Sequence, residues 1–330
     1  MTIAMSFSEF QRNGGLMPIR DELPDDFFIV CASYEIDRST AIAESMNEHY
    51  STESSIIYVN NEFTQGSAGM RTSESISRIK HSLEASSQQV NIAEGSLLDL
   101  RIQLRTLRKN LEPVSETNRT SALTIDVTTF NREALLTTLT LIRCWYPDAS
   151  VRILYVSPSE HGEWLSRGCK LVRNALGFAG EHDPNRRSLL VVLSGFETER
   201  VLHLIEEHEP TKVLLGLGNP PTNSEFLARN RDEQKLVLAR QDVERFEFPA
   251  NDIVGCADIL KKLVTDHIDE YNIAIAPMST KLTTISVFLI AEAYPDVQVT
   301  HCVPDEYNTE DYSCGISDIY IDSLPRPLSG

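Results

Sequence analysis

FIVCASYEIDRSTAIAE, residues 28–44, and LVVLSGFETERVLHLIE, residues 190–206, are the two stretches on which the fold turns. Aligned without a gap, they place Tyr34, Glu35, Asp37 and Arg38 against Phe196, Glu197, Glu199 and Arg200, at a constant offset (197 − 35 = 162). Each stretch joins a short β-branched run to a helical pattern, the grammar of a parallel sheet covered by helices. A chain that repeats this grammar at a fixed offset reads as a duplication.

Two further matches follow in the same order. SSIIYVNNE from Ser54 parallels TKVLLGLGNPP from Thr211, a β-rich run ending in asparagine. LTIDVTTFNREALLTTLTLIRCWYPDASVRILYVSP from Leu123 parallels IAIAPMSTKLTTISVFLIAEAYPDVQVTHCVP from Ile273. Both contain an apolar strand, a Ser/Thr turn, a cation, an apolar helix, Tyr-Pro-Asp, and a strand ending at proline. The expected fold class is therefore α/β, with two tandem Rossmann-like units, mainly parallel sheets and flanking helices. The turn-rich GFAGEHDPNRR around Gly177 to Arg187 sets the boundary, giving units at 1–178 and 179–330. Residues 64–90 are Ser-rich and read as a loop followed by a modest helix. Leucines at 97, 100, 104, 107 and 111 give the next segment one apolar helical face, with Arg101, Arg105 and Arg108 on another. Those arginines form either a solvated face or a basic contact surface.

Composition narrows the function classes. The chain has 330 residues, 30 basic and 48 acidic, for a net charge of −18. That charge opposes general affinity for a duplex nucleic acid backbone. Residues 1–175 hold 17 basic and 22 acidic side chains, so the second half carries the larger excess, −13 against −5. No apolar run approaches the roughly 18 residues of a membrane span, and Met1 to Arg20 lacks the pattern of a secretory leader. The expectation is a cytoplasmic protein without a membrane association. Six scattered cysteines with no C-x-x-C indicate reduced thiols rather than a disulfide framework or a metal site.

The most specific short motif is Asp126-Val-Thr128-Thr-Phe-Asn-Arg132, at a strand end leading into a helix. A strand-end hydroxyl, the first amides of a helix and an arginine fork can together cradle a phosphate. Equally, Asp126 and Thr128 can cap the helix while Arg132 pairs with a surface acid. The second copy, Ala276-Pro-Met-Ser279-Thr280-Lys281, keeps hydroxyls and a cation but has no aspartate. Glu35 and Arg38, and likewise Glu197 and Arg200, are three apart just after the first strand of each copy. They can pair with each other, or the arginine can reach a ligand that the glutamate orients.

Gly216-Leu-Gly218-Asn-Pro-Pro is not a dinucleotide fingerprint, because the third glycine is missing and two prolines remove amides. No P-loop is present, and His203 and His208 are five apart, the wrong spacing for a zinc helix. No cofactor is expected. Tyr307, Tyr312 and Cys314 lie on a late loop where aromatic packing or cleft closure is the expectation, and no histidine adjoins Cys314 to mark a nucleophile.

On D-x-T-x-x-x-R at Asp126 to Arg132 and the Thr-Lys pair at 280–281, the chain resembles CARF domains, the CRISPR-associated Rossmann folds. The resemblance implies that the loops after the first and fourth strands bind cyclic oligonucleotides, with two units in one chain standing in for a dimer. Ser33 is similar to the small hydroxyl residue of the family's first loop. The implied ligand set is Ser33, Glu35, Arg38, Asp126, Thr128, Arg132, Glu197, Arg200, Ser279, Thr280 and Lys281. An appended nuclease pattern such as R-x-x-x-x-H is not found before Gly330. The expected function is a ligand sensor of a prokaryotic antiviral defence or signalling system, binding a cyclic or linear oligonucleotide in the cleft between the units. A protein partner would supply the effector function. Two alternatives stay open: a non-catalytic adaptor with a vestigial cleft, its acidic half docking a basic partner, and a ring-nuclease-like phosphodiesterase that leans on electrostatic stabilisation.

Overall fold

The structure is a computed structural model that describes residues 2–19, 24–112 and 122–328. In chain order the first elements are β1 (Ile3–Ser6), α1 (Phe7–Arg12), β2 (Asp25–Ala32), α2 (Ile36–Glu44), β3 (Thr52–Asn60), α3 (Gly66–Glu84) and β4 (Ser87–Gly95). Then come α4 (Leu100–Leu111), β5 (Ala122–Asp126), α5 (Arg132–Trp145), β6 (Ser150–Val156), β7 (Glu160–His161), β8 (Ser166–Arg167) and β9 (Leu171–Asn174). The second copy runs β10 (Arg187–Leu193), α6 (Thr198–His208), β11 (Lys212–Gly218), α7 (Ser224–Glu233), α8 (Lys235–Leu238), β12 (Val243–Phe248) and α9 (Ile253–His267). It closes with β13 (Tyr271–Pro277), α10 (Lys281–Ala293), β14 (Gln298–Val303), β15 (Glu306–Tyr307), β16 (Ser313–Cys314) and β17 (Asp318–Ser323).

Two compact units form, the first from Met1–Gly162 with Thr309–Leu324, the second from Glu163–Asn308 with the segment from Pro325. Unit 1 has a seven-stranded sheet ordered β1-β17-β6-β5-β2-β3-β4. Five of its strands, β4-β3-β2-β5-β6, are parallel in the order 3-2-1-4-5; at the β6 side β17 adds antiparallel to β6, and β1 antiparallel to β17. The central strand β2, covered on both faces, is a continuous apolar run with Phe28, Ile29 and Cys31 buried. The edge strand β4, SQQVNIAEG, is instead largely polar and exposed. Each fully buried Ile of β2 and β3 contributes about 1.5–3 kcal/mol of apolar transfer.

Unit 2 repeats this order as β12-β11-β10-β13-β14, with β9 antiparallel beside β14. The glycines at 216 and 218 belong to β11, and a Cβ at Gly216 would meet Phe246 and Phe248 at 2.6–2.8 Å. Close sheet packing, not a phosphate loop, explains them.

The units are not two consecutive halves. The strand after the fifth parallel strand of each unit comes from the other sequence copy: β9, following β6 and β7, pairs with β14, whereas β17, following β14 and β15, pairs with β6. The chain thus leaves unit 1 at Gly162 and returns at Thr309, rather than crossing once near Gly177 to Arg187. The reason is topological: an antiparallel strand can be supplied by any segment that reaches the edge with its hydrogen-bonding groups aligned. Charge redistributes accordingly. Unit 1 carries 14 basic and 25 acidic residues, net −11, and unit 2 carries 16 and 23, net −7, so the acidity is not a property of one docking half.

The Ser-rich segment is a 19-residue helix, α3, rather than a loop with a modest helix. Its serines have interior partners: Ser75 Oγ donates to the Ser33 carbonyl at 2.7 Å and is bonded by Ser39 Oγ at 3.0 Å. Among the described residues no helix is long and apolar enough to cross a membrane.

Candidate functional site

In a 3-2-1-4-5 sheet the crevice lies where the strand order reverses, at the C-terminal ends of the first and fourth strands. In unit 1 that point falls between β2 and β5; in unit 2 it falls between β10 and β13. The sequence-predicted residues sit there or one helical turn beyond. Glu35 and Glu197 occupy the same position, the N-cap of the following helix, with matching backbone angles (φ −82°, ψ 73° and φ −98°, ψ 76°). Neither caps its helix with its side chain.

Their carboxylates are committed elsewhere. In unit 1, Arg38 Nη1 donates to Glu35 Oε2 at 2.5 Å, while Nε and Nη2 donate to the Val156 carbonyl at 3.1 and 2.9 Å. Ser313 Oγ donates to the same Glu35 oxygen. In unit 2, Arg200 Nη1 donates to Glu197 Oε2 at 2.8 Å and Nη2 to the Cys302 carbonyl, and Ser166 Oγ donates to Glu197. All four charged groups are buried. Each pair is therefore an internal latch that ties the start of a helix to the fifth parallel strand. The glutamate charge holds Arg38 and Arg200 above the ordinary arginine range even though burial, the largest effect on each, pushes them down.

Tyr155 joins the unit 1 cluster. The Arg38 guanidinium lies 5.8 Å from its ring centroid. Burial raises its hydroxyl pKa, and the Arg38 and Arg132 charges pull the other way. Glu35, Arg38 and Arg132 thus converge on one tyrosine that the motif reading did not include. The only signal for it was its place in the repeated strand before a proline, where the second copy has His301.

The Asp126 to Arg132 turn is locked by its own side chains. Asp126 Oδ1 accepts from the Thr128 amide at 3.0 Å and from Thr128 Oγ1, which in turn accepts from the Val156 amide at 2.9 Å. Thr129 Oγ1 donates to the Cys31 carbonyl at 2.6 Å, bridging the ends of β5 and β2. The helix cap is Asn131, whose side chain accepts from the Ala134 amide at 2.7 Å, so Asp126 and Thr128 are not caps. Asp126 Oδ2 is buried without a hydrogen-bond partner, and burial pushes the carboxyl pKa up to about 7. Asp126 and Thr128 are positioning groups; Arg132 is half-buried at the first position of a 14-residue helix.

Unit 2 has diverged at the same place. Val30 pairs with Asp126 and Val192 with Ala276, and Val30 and Val192 are repeat equivalents, so Ala276 stands in the aspartate's position. Thr280 is the helix cap there, accepting from the Thr283 amide and donating to the Ala250 carbonyl at 2.7 Å, with Ser279 before it and Lys281 at the first helical position. Gly195, the counterpart of Ser33, has no room for a side chain: its Cβ would lie 2.6 Å from the Met278 carbonyl oxygen. His208 is half-buried against Thr300 Oγ1 at 2.8 Å, and burial lowers its pKa. Among the described residues no group of His, Cys, Asp and Glu side chains is placed to hold a metal.

A cleft of about 150 Å³ opens beside the first turn of α2 in unit 1. It is lined by Glu35 to Arg38, Arg71, Glu74, Arg78, Ser313 and Gly315. Arg78 is held by Glu44 in a two-pronged pair at 2.7 and 2.8 Å. Arg71 is different. Its Nε and Nη1 donate to the Tyr34 and Glu310 carbonyls at 2.8 and 2.9 Å, and among the described residues no carboxylate comes within ion-pair distance of it. A fixed, half-buried guanidinium outside ion-pair distance of the described carboxylates therefore lies next to a helix start that no side chain caps.

This fold and site define a pair of Rossmann-like α/β units, one of them with a cleft beside α2. The chain is similar to a universal stress protein from Pseudomonas aeruginosa, with 12% identity and a TM-score of 0.27 over 85% of this chain and 94% of that one. It is also similar to a second, functionally unknown protein of that organism, at 10% identity and a TM-score of 0.26 over 85% and 93% of the two chains. A-type ketoreductases of a modular polyketide synthase follow at 12% identity and a TM-score of 0.20, over 89% of this chain and 69% of that one. Likeness this loose carries no argument about ligand or activity. No family model and no curated protein matches the sequence.

Proposed function

We propose that unit 1 is a sensor domain that takes the phosphate of a nucleotide-type ligand, a cyclic or linear oligonucleotide included, in the cleft beside α2. The observation that supports this reading is Arg71, a cation fixed by two carbonyls and left without a carboxylate partner at a helix start. At about 150 Å³ the cleft is smaller than the 300–1,000 Å³ of a whole-ligand pocket, which suits a phosphate group with the nucleoside projecting out. Glu35, Asp37 and Glu74 on the same walls discriminate against highly charged polyphosphates. The prokaryotic defence setting and an effector partner rest on the CARF resemblance alone.

Titration calorimetry with mononucleotides and with linear and cyclic oligonucleotides tests the reading. Removing a charge-assisted hydrogen bond is worth about 1.5–3 kcal/mol, so Arg71→Ala should weaken binding roughly tenfold or more with little change in melting temperature. Arg132→Ala should weaken it only if the β5 turn also touches the ligand. A second reading, a non-catalytic adaptor, is favoured by the Asp126, Thr128 and Thr129 hydrogen bonds, which spend the unit 1 crevice groups on the protein itself. Wild-type protein that binds no member of the panel, yet retains a protein partner, would support the adaptor and sink the sensor.

A further inference from the structure

Cys169 and Cys302 in unit 2 place their sulfurs 2.8 Å apart, closer than two thiols at ordinary van der Waals contact. Cys302 lies on β14 and is buried; Cys169 lies on the turn between β8 and β9 and is half-buried. Around them, Gly168 takes a left-handed conformation (φ +67°) and its amide donates to Glu199 at 3.0 Å, which fixes the turn that presents Cys169. The Lys170 amide bonds the Val303 carbonyl at 2.8 Å, so the backbone is anchored on the C-terminal side of Cys169 as well. The pairing joins the two sequence copies: Cys169 precedes the exchanged strand β9, and Cys302 belongs to the strand that receives it.

Unit 1 shows what this position holds when no thiol chemistry is available. Arg38 bonds the carbonyl of Val156 and Arg200 that of Cys302, so Val156 and Cys302 are equivalent. The equivalents of Ser166 and Cys169 are Ser313 and Ile316, each serine bonding the latch glutamate of its unit. Val156 and Ile316 belong to one apolar cluster, as Cys302 and Cys169 do in unit 2. An aliphatic pair therefore serves the packing, and two cysteines add a reaction that packing does not need.

We propose that Cys169 and Cys302 are a reversible oxidation site, at which a hydroperoxide closes a disulfide that clips strand β9 to β14. One thiolate attacks the peroxide, the O–O bond breaks, and a sulfenic acid forms with release of an alcohol or water. The second thiol then attacks that sulfur, expelling water, so that two thiols and one hydroperoxide give one disulfide, one alcohol or water, and one water. A dithiol reverses the bond by exchange through a mixed disulfide. Burial and the neighbouring Cys302 push the Cys169 thiol up to about 12, while the Arg200 charge acts in the opposite direction. Oxidation should therefore be slow at neutral pH and accelerate as pH rises.

The test uses the full chain carrying Cys144→Ser and Cys314→Ser, which removes the two exposed cysteines. Protein treated with hydrogen peroxide at pH 7 and pH 9 is alkylated in denaturant and examined by intact mass and by non-reducing peptide mapping. The expected result is loss of two alkylation sites, a cross-linked peptide joining Cys169 to Cys302, faster closure at pH 9, and full reversal by dithiothreitol. Cys169→Ala leaves the buried Cys302 in place and should abolish the cross-link in protein that melts as a folded species. Native protein that keeps all four remaining thiols, or gains oxygen on a single cysteine without a cross-link, shows a packing pair only and overturns the proposal.

Discussion

Replacing Arg38 with Met removes a buried charge while keeping most of its volume, and the geometry sets the size of the effect. Arg38 is 5% exposed and gives three hydrogen bonds, one to Glu35 at 2.5 Å and two to the Val156 carbonyl. Its loss leaves the Glu35 carboxylate, 8% exposed, without its counter-charge in a low-dielectric site. Breaking a buried pair in this way destabilises by about 3–5 kcal/mol, far above the 0–1 kcal/mol of a surface pair. The double variant Glu35→Leu/Arg38→Met removes both charges together and should be less damaging than Arg38→Met alone. Trp145 lies in unit 1 and Trp164 in unit 2, so in a Trp164→Phe background urea unfolding followed by fluorescence reports on unit 1. Because the pair is shielded from solvent, the loss should persist in 1 M salt. A change below about 1 kcal/mol for Arg38→Met, or a double variant as damaging as the two single effects added, would refute the latch.

Burial pushes the Asp126 carboxyl up to about 7, above its ordinary value of 3.8. A raised acid favours the protonated form on folding, so its stabilising contribution is complete below about pH 4 and is lost as pH rises through 7. Asp126→Asn should flatten that decline in urea midpoints measured from pH 4 to pH 8; an unchanged slope refutes the assignment. Gly195→Ser, which copies Ser33 into unit 2, should destabilise by about 1–3 kcal/mol because its Cβ meets the Met278 carbonyl at 2.6 Å. Thermal melts in which Gly195→Ser matches wild type would refute the clash with the Met278 carbonyl.

The α/β class and the parallel strands were legible because β2, β10 and β13 carry the buried apolar runs FIVCA, LLVVL and IAIA. The equivalence of Glu35 with Glu197 and of Arg38 with Arg200 was legible because it is ungapped. What the arginines do was not: spacing shows that a glutamate and an arginine can pair, but only the fold supplies Val156 and Cys302 as the carbonyls that complete the bonds. Arg71 escaped notice for a related reason. It sits in a Ser-rich helix whose sequence carries no motif, and its importance comes from two carbonyls distant in sequence, at Tyr34 and Glu310. Asn131 was the plainer omission, since an asparagine before a helix three residues ahead of an alanine amide is an ordinary cap.

The strand exchange divides each latch between the parallel strands of one copy and the last strands of the other. Within each copy, the five parallel strands and their helices form one sheet and are constrained together, so Glu35 and Arg38 keep their counterparts. The last strand and the serine ahead of it act on the opposite sheet: Ser313 completes the latch of unit 1 and Ser166 that of unit 2. Each copy therefore finishes the other's ion pair, and neither sequence copy on its own contains the carboxylate, the guanidinium and the serine that bind together. Ser313 reaches Glu35 from β16, which pairs with β7, and Ser166 reaches Glu197 from β8, which pairs with β15. Divergence of the two crevices, with Asp126 kept in one and Ala276 in the other, proceeds on a frame that both copies must continue to complete.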